Sequence, residues 1–285
     1  MKDVTNAMRA HILTAAVPYI KQYTDQYVVV KYGGNAMIDE ELKKSVMKDL
    51  MLLQLVGVKV VLVHGGGPAI NSTLDAMKIE SHFANGLRVT DEVTMDVVQM
   101  VLAGKVNKGL VADLTDLGGK AVGLCGVDGN MIQVHKQNDE LGYVGSIDTI
   151  DTSIIDDVIS RGYIPVISSI GMGADGKTYN INADTVAAKI AGALKAETMV
   201  AMTNIDGVLR DVHDPESLIS KITMAEADQL KAEGIIAGGM IPKVDCCLEA
   251  IKSGAQKVFI INGEIPHAIL IELLTDEGLG TMFVK

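Results

Sequence analysis

The chain has 285 residues, 48% of them hydrophobic, which is enough to bury the core of two modest domains or one large one. Its formal net charge of −11 argues against nucleic acid or an anionic membrane as the main partner, although a few local cations can still hold a nucleotide. The chain has three cysteines, two of them adjacent, which favours a reducing compartment over a disulfide framework. It has no clear signal-peptide cleavage site and no apolar run near the roughly 20 residues of a membrane helix. These observations predict a cytoplasmic protein.

Residues 1–22 have the pattern of an amphipathic helix placed ahead of the first strand. Short β-branched runs then alternate with helical patterns along the rest of the chain. The candidate strands are Tyr27–Lys31, Lys59–His64, Ala121–Leu124, Tyr163–Ser169, Thr198–Met202 and Lys257–Ile261. The candidate helices are Asp39–Leu55, Pro68–Met77, Thr90–Leu102, Lys105–Leu117, Asp151–Ser160, Ala183–Leu194, Thr223–Glu233 and Ile241–Lys252. This alternation predicts an α/β fold with a mainly parallel sheet covered on both faces, with a local antiparallel excursion around 130–150.

Two of the predicted strands end in glycine clusters that lead into helices. They are VVVKYGGNAM at 28–37 and VVLVHGGGPAI at 60–70. Glycines let a ligand approach the backbone, and N–H groups at a helix N-terminus bind anions. Because such sites lie at the carboxyl ends of parallel strands, the two loops predict one phosphate-binding edge. A tight strand–helix turn is the alternative explanation for a single loop, and two loops favour the functional one.

A third glycine-rich segment, GMGADGKT at 171–178, fits both the Walker A pattern and GxGxxG. A true P-loop needs a helix that starts at the Gly-Lys-Thr. Here three residues, 179–181, intervene before the next helix, so we expect a β-hairpin with Asp-Gly at its turn and Lys177 near its tip.

Six motifs occur in order along the chain: KYGGNA (31–36), HGGGP (64–68), NGLRVTD (85–91), YNINADTVAAKIA (179–191), TNIDGVL (203–209) and GGMIPKV (238–244). The set resembles the amino-acid kinase family and, within it, the N-acetylglutamate kinases. The resemblance implies a three-layer αβα sandwich without a Walker A loop. It also implies an oligomerisation helix at 1–22, an acceptor-binding lobe at 23–195 and an ATP-binding lobe at 196–285. The expected reaction is the transfer of the γ-phosphoryl group of ATP to the side-chain carboxylate of N-acetyl-L-glutamate in arginine biosynthesis.

The resemblance also implies a role for each matching residue. Lys31 and Lys243 would contact the migrating phosphoryl group from opposite sides, and Asp184 would orient both. The expected acceptor-binding residues are Gly66, Gly67, Arg88, Asn180 and Asn182. The expected nucleotide-binding residues are Gly33, Gly34, Thr203, Asn204, Asp206, Gly207, Val208, Leu209, Gly238, Gly239 and Met240. The cofactor would be ATP with Mg²⁺ held mainly by the phosphates.

Other interpretations stay open at the level of sequence. Lys31 could be a strand-end lysine facing water, Arg88 a surface partner of Asp91, and Asp184 a helix N-cap; Asn180 and Asn182 could be turn residues. Carbamate, aspartate, glutamate 5- and uridylate kinases share the expected fold, and a non-catalytic amino-acid sensor could use it as well. His64 fits a packed strand-end histidine, so we assign it no chemistry.

The extra N-terminal segment resembles that of hexameric, arginine-inhibited members of the family. The resemblance places Tyr19, His267, Glu277 and Gly280 near an L-arginine effector in a homo-oligomer. Thr198 departs from the pattern, because some arginine-sensitive relatives have a lysine there.

Overall fold

The computed structural model describes residues 5–37, 39–84 and 86–285, apart from the side chains of residues 35 and 36. Within them the α-helices are α1 (Asn6–Ala15), α2 (Val17–Tyr23), α3 (Glu40–Leu55), α4 (Gly67–Met77), α5 (Glu92–Gln99), α6 (Asn107–Asp116), α7 (Ser153–Ser160), α8 (Ala183–Ala193), α9 (Met224–Ala232), α10 (Met240–Ser253) and α11 (Ala268–Leu274). The strands are β1 (Tyr27–Tyr32), β2 (Lys59–His64), β3 (Phe83–Ala84), β4 (Leu87–Arg88), β5 (Ala121–Cys125), β6 (Ile132–Lys136), β7 (Gly145–Ile150), β8 (Ile164–Ser168), β9 (Ile170–Gly173), β10 (Thr178–Asn180), β11 (Thr198–Thr203), β12 (Lys221–Thr223), β13 (Lys257–Asn262) and β14 (Thr281–Val284).

The central sheet has eight strands in the order β12-β14-β13-β11-β1-β2-β8-β5. Every neighbouring pair is parallel except β13 and β14. Strand β1 lies inside the sheet, with Lys31 in register with Val63 of β2 and Ala201 of β11. The carboxyl ends of these three strands therefore meet at one edge, as the two glycine loops predict.

Both faces of this sheet are buried, which explains why its strands are almost continuously apolar. Val29 packs into the cluster on one face, with α8 and α10. Val28 and Val30 point the opposite way, into the cluster that includes residues of α3 and α11. Alternate side chains of one strand thus reach two cores, and the three-layer α/β architecture expected from the sequence is confirmed.

The region 90–117 differs from the prediction of two helices separated near residues 103–104. Helix α5 runs directly into a π-helix, Met100–Val106, and then into α6. The helical pattern was right, but the predicted break was wrong because the chain widens its turns instead of interrupting the helix. π-helical turns are rare and often lie at functional sites.

The antiparallel excursion around 130–150 is confirmed as part of a four-stranded sheet in the order β10-β9-β6-β7. The hairpin prediction for 171–178 is also confirmed, since β9 and β10 pair antiparallel and Gly176 has φ +75° at the turn. Lys177 donates to the hydroxyl of Tyr143 at 2.9 Å, on an exposed surface. No helix starts at this Gly-Lys-Thr, and the Walker A interpretation is wrong.

The N-terminal segment forms two helices where the sequence pattern predicts one. Pro18 lies in the first turn of α2, and Ala16 separates α2 from α1. Helix α1 buries none of its residues and exposes Met8, Ile12 and Leu13. The first four residues of the predicted helix lie outside the described part of the chain. Within that part, no helix combines the length and the apolar character needed to cross a membrane.

Candidate functional site

A cavity of about 310 Å³ opens at the carboxyl ends of β1 and β2, between the two glycine loops. Its lining brings together predicted residues from distant parts of the chain: Lys31, Gly33, Gly34, Gly66, Gly67, Arg88, Asn180, Asn182 and Asp184. The convergence follows from the sheet order, because β1 and β2 are adjacent and α8 packs over their ends. Asn85, the first residue of the third motif, lies outside the described residues.

Lys31 and Asp184 form an ion pair at the floor of this cavity. Lys31 Nζ lies 2.9 Å from Asp184 Oδ1, and Lys31 is only 9% exposed. The lysine side chain passes over Gly33, where a Cβ atom would lie 3.6 Å from Nζ. A lysine facing bulk water is therefore the wrong interpretation of Lys31. Asp184 is not the N-cap of α8 either, since that position belongs to Asn182.

Lys243 lies in the first turn of α10 and lines a second cavity of about 560 Å³ with Gly239 and Cys246. Asn182 and Asp184 line both cavities, so the two form one continuous cleft. The N-termini of α8 and α10 belong to this cleft, and helix N-termini carry partial positive charge. Among the described residues, the cleft therefore presents three lysines, Lys31, Lys189 and Lys243, and two helix N-termini around Asp184, which suits a polyanionic ligand. Lys189 is also paired with Glu249.

Arg88 is buried on the wall of the first cavity and is held on three sides. Its Nη2 donates to Asn71 Oδ1 at 2.6 Å, its Nη1 donates to Ser81, and its guanidinium lies 4.7 Å from the centroid of the Phe83 ring. Burial lowers the pKa of Arg88 from its usual range. Its alternative partner from the sequence, Asp91, instead caps α5 by accepting from the Thr94 N–H.

The orientation of the Asn180 side-chain amide follows from Thr90, a fully buried residue beside it. Thr90 Oγ1 donates its only proton to the Arg88 carbonyl at 2.9 Å, so it can only accept from Asn180 Nδ2, at 3.3 Å. Asn180 Oδ1 is thereby left as a hydrogen-bond acceptor. Thr90 belongs to the NGLRVTD motif, but nothing in the sequence pattern indicated that it orients Asn180.

Asn182 has the complementary arrangement. Its Oδ1 accepts from the backbone N–H groups of Asp184 at 2.8 Å and Thr185 at 3.2 Å, which caps α8. Only Nδ2 is left, and it is a donor. The pair of asparagines thus offers one acceptor and one donor, the pattern that an amide group of a ligand requires.

The predicted nucleotide segment 203–209 begins with the last residue of β11, at the same edge of the sheet. It is held by side chains, because the Val208 N–H donates to Thr281 Oγ1 at 2.9 Å and Asn262 donates to Asp206 at 2.8 Å. Among the described residues that line the two cavities, none belongs to 203–209, and Gly238 and Met240 are also not among them. These nucleotide contacts stay predictions.

The predicted effector residues lie around α2 and α11, which contact each other. His267 Nδ1 lies 2.6 Å from Asp49 Oδ1, and its backbone N–H donates to Ser45 Oγ at 2.7 Å. Burial raises the pKa of Asp49 to about 6. Tyr19, in α2, packs against the core. The exposed Glu277 lies after α11, and the Gly280 N–H donates to Glu272 at 3.1 Å.

The chain resembles known proteins along its whole length. Residues 26–262 match the sequence profile described as the amino acid kinase family. An acetylglutamate kinase from Brachyspira hyodysenteriae is 52% identical over 287 residues, covering 100% of both chains.

Two solved structures of N-acetylglutamate synthase from Neisseria gonorrhoeae have the same fold. The complex with coenzyme A and N-acetyl-glutamate has a TM-score of 0.84 at 28% identity, and the complex with coenzyme A and L-arginine has a TM-score of 0.80 at 25% identity. Each match covers 97% of this chain, which spans only 63% and 65% of the two synthase chains. On the profile match and the full-length identity, the chain belongs to the amino acid kinase family.

Proposed function

We propose that this protein is an acetylglutamate kinase, which transfers the γ-phosphoryl group of ATP to the side-chain carboxylate of N-acetyl-L-glutamate in arginine biosynthesis. The observation that carries the proposal is the cleft in which Lys31 and Lys243 line adjoining cavities that share Asp184. Full-length identity of 52% to an acetylglutamate kinase supports the same acceptor.

The chemistry needs positioning and charge stabilisation more than proton transfer. A carboxylate oxygen of the acceptor attacks the γ-phosphorus, the bond to the β,γ-bridging oxygen breaks, and ADP leaves with that electron pair. The carboxylate is already a nucleophile at neutral pH, so no general base is required. Lys31 and Lys243 would offset the repulsion between two anionic reactants, and Asp184 would hold Lys31 in place.

The acceptor site fits an acetylated amino group better than a free ammonium. Arg88 would bind the acceptor's α-carboxylate, Asn180 Oδ1 would accept from the acetamido N–H, and Asn182 Nδ2 would donate to an oxygen of the acceptor. The backbone N–H groups of Gly66 and Gly67 would receive the reacting carboxylate.

The nucleotide would lie between the second cavity and segment 203–209. In this arrangement residues 23–195 form the acceptor lobe and residues 196–285 the ATP lobe. Asp184 is already paired with Lys31, and the described residues contain no cluster of three or more His, Cys, Asp or Glu side chains placed to hold a metal. Mg²⁺ would be held by the phosphate oxygens, where it neutralises charge on ATP.

L-Arginine inhibition of a hexamer is the regulatory part of the proposal. Its support is the exposed apolar side of α1, which suits pairing with a second copy, and the contact between α2 and α11 beside His267. Thr198 is fully buried in β11 and pairs in register with Lys257, whose ammonium lies 4.9 Å from the centroid of the Tyr23 ring in α2. A cation near α2 is therefore present even without a lysine at 198.

A coupled assay of ADP release tests the activity. We expect turnover with acetylglutamate and at least 100-fold lower kcat/KM with glutamate, aspartate or carbamate, since a site built to hydrogen-bond one group rejects analogues that leave it unpaired. A preference for any other acceptor contradicts the proposed substrate. No turnover with any of the four favours a non-catalytic sensor.

A further inference from the structure

His64, the last residue of β2, is fully buried directly before the second glycine loop. Its Nδ1 lies 2.8 Å from the Gly65 carbonyl oxygen, and its Nε2 lies 3.0 Å from Asn107 Nδ2. Because a carbonyl only accepts, Nδ1 carries the proton and Nε2 accepts from Asn107. Burial also lowers the pKa of His64 to about 4, so the ring is neutral near pH 7.

This single tautomer fixes the orientation of one peptide group in the loop. In a planar trans peptide, the C=O and the N–H point in opposite directions. The Gly65 carbonyl is turned to His64, so the Gly66 N–H points the other way. Gly65, Gly66 and Gly67 line the first cavity, and among the described residues no backbone acceptor is paired with the Gly66 N–H.

Asn107 is also fixed in place, by a contact with strand β8 of the central sheet. It is buried at the start of α6, and its Nδ2 also donates to the Val166 carbonyl at 2.8 Å. Its Oδ1 accepts from Lys108 Nζ at 3.2 Å. Glycine is required opposite it in β5, because a Cβ at Gly123 would lie 1.8 Å from Asn107 Oδ1.

The π-helix that precedes Asn107 contacts the same loop. A Cβ at Gly66 would lie 2.6 Å from Leu102 Cδ2, so Leu102 packs closely against this glycine and would have to move for any larger residue. The π-helix and α6 therefore contact the loop at two points: Leu102 packs on Gly66, and Asn107 reaches it through His64.

We propose that Asn107 and His64 are positioning residues for the phosphoryl transfer. Asn107 selects the Nδ1–H tautomer of His64, and His64 turns the Gly65–Gly66 peptide so that the Gly66 N–H donates to the acceptor's reacting carboxylate and holds it in line with the γ-phosphorus during the transfer. This inference rests on the proposed function, because it names a further part of the same site.

Two substitutions at His64 separate positioning from packing. The amide nitrogen of His64→Asn takes the place of Nδ1 and keeps the donor to Gly65, whereas that of His64→Gln lies near the place of Nε2 and loses it. We expect kcat for His64→Asn within about fivefold of wild type, and a loss of about 10² for His64→Gln, as for removal of one oxyanion donor. KM for ATP should stay within about twofold in both.

A remote substitution provides a test that leaves His64 in place. Gly123→Ala should displace Asn107 and lower kcat by about tenfold or more, although Gly123 lines neither cavity. Histidine ¹⁵N chemical shifts report the tautomer directly, and wild type should show a protonated Nδ1 that is lost in Gly123→Ala. His135→Asn and His135→Gln, at an exposed histidine, should both behave as wild type.

The possible results distinguish failure of this inference from failure of the proposed function. Equal kcat for His64→Asn and His64→Gln, or a protonated Nε2 in the wild-type spectrum, overturns the inference while an active wild type keeps the proposed function. A wild type without kinase activity overturns both. Should His64→Gln not fold, as judged by circular dichroism, unchanged kcat in folded Gly123→Ala overturns the inference by itself.

Discussion

At the scale of single residues, lysines that line the cleft should be needed for turnover, whereas a lysine outside the cleft should not. Lys31→Ala and Lys243→Ala each remove a cation from the cavities that share Asp184, and we expect each to lower kcat by about 10²–10³. Lys177→Ala, in the exposed hairpin that fits the Walker A pattern, should stay within about twofold of wild type. Steady-state kinetics of purified variants measures all three, and an equal loss for Lys177→Ala contradicts the assigned site.

Thr90 offers a subtler test of acceptor binding. Thr90→Val keeps the shape of the side chain but removes the hydroxyl that orients Asn180, so the asparagine amide can rotate and present a donor to the acceptor's N–H. We expect KM for acetylglutamate to rise by about tenfold, with KM for ATP unchanged, since a lost buried hydrogen bond costs about 1–3 kcal/mol. Thr90→Ser should restore wild-type KM. If the Val and Ser variants match, Thr90 has no such role.

The buried His64 predicts how stability depends on pH. Its pKa is lowered by burial from 6.5 to about 4, so between these values the unfolded chain binds more protons than the folded one, and stability falls as pH falls. From pH 8 to pH 5 the loss from this residue should be about 2 kcal/mol. Urea unfolding at both pH values measures it. His64→Asn, which cannot titrate, should lose about 2 kcal/mol less over the same range, and identical pH dependence would count against the assigned pKa.

At the scale of elements, the local signals of the sequence located most helices and strands well. β2 has the predicted bounds, and Asp39 caps α3 where a helix start was predicted, because alternation and capping are encoded by neighbouring residues. The π-helix at 100–106 carries no such local signal, and its Leu102 packs against Gly66 of the distant glycine loop. Strand β14 was missed for the same reason, since it is stabilised by pairing with the distant β12 and β13.

Helix α8 allows its stability and its binding role to be separated at one position. Asn182→Asp keeps an oxygen that caps the helix but loses the Nδ2 donor, so we expect near-wild-type thermal stability and a KM for acetylglutamate raised by at least tenfold. Asn182→Ala loses both functions and should also cost about 1 kcal/mol of unfolding free energy. Thermal unfolding and acceptor titrations check the pair. Wild-type KM in the Asp variant would mean that Asn182 only caps the helix.

At the scale of the whole molecule, the motifs predicted several residues that meet in one cleft but not how their side chains are held. The family resemblance predicts that Asp184 orients Lys31. The sheet order brings Lys31 Nζ to 2.9 Å from Asp184 Oδ1. The partners of Arg88, by contrast, come from α4 and from the segment before β3, and only the tertiary fold places Asn71 and Ser81 beside it. Residues that orient a binding group depend on long-range packing, so sequence motifs identify them poorly.

The exposed apolar side chains of helix α1 lead to a prediction about assembly. Within the described part of the chain it buries none of its own residues, and its exposed Met8, Ile12 and Leu13 fit a helix–helix contact between copies. Removing residues 1–15 should therefore convert the proposed hexamer into a smaller oligomer, as measured by light scattering, while kcat without effector stays within about twofold. Inhibition by L-arginine should weaken at least tenfold in the truncated chain, because α2 would lose its neighbour across the interface.

A control variant, Ile12→Glu with Leu13→Glu, should reproduce both effects without shortening the chain. If saturating arginine changes neither the rate nor the assembly of the full-length protein, the regulatory proposal is wrong, and α1 serves assembly alone.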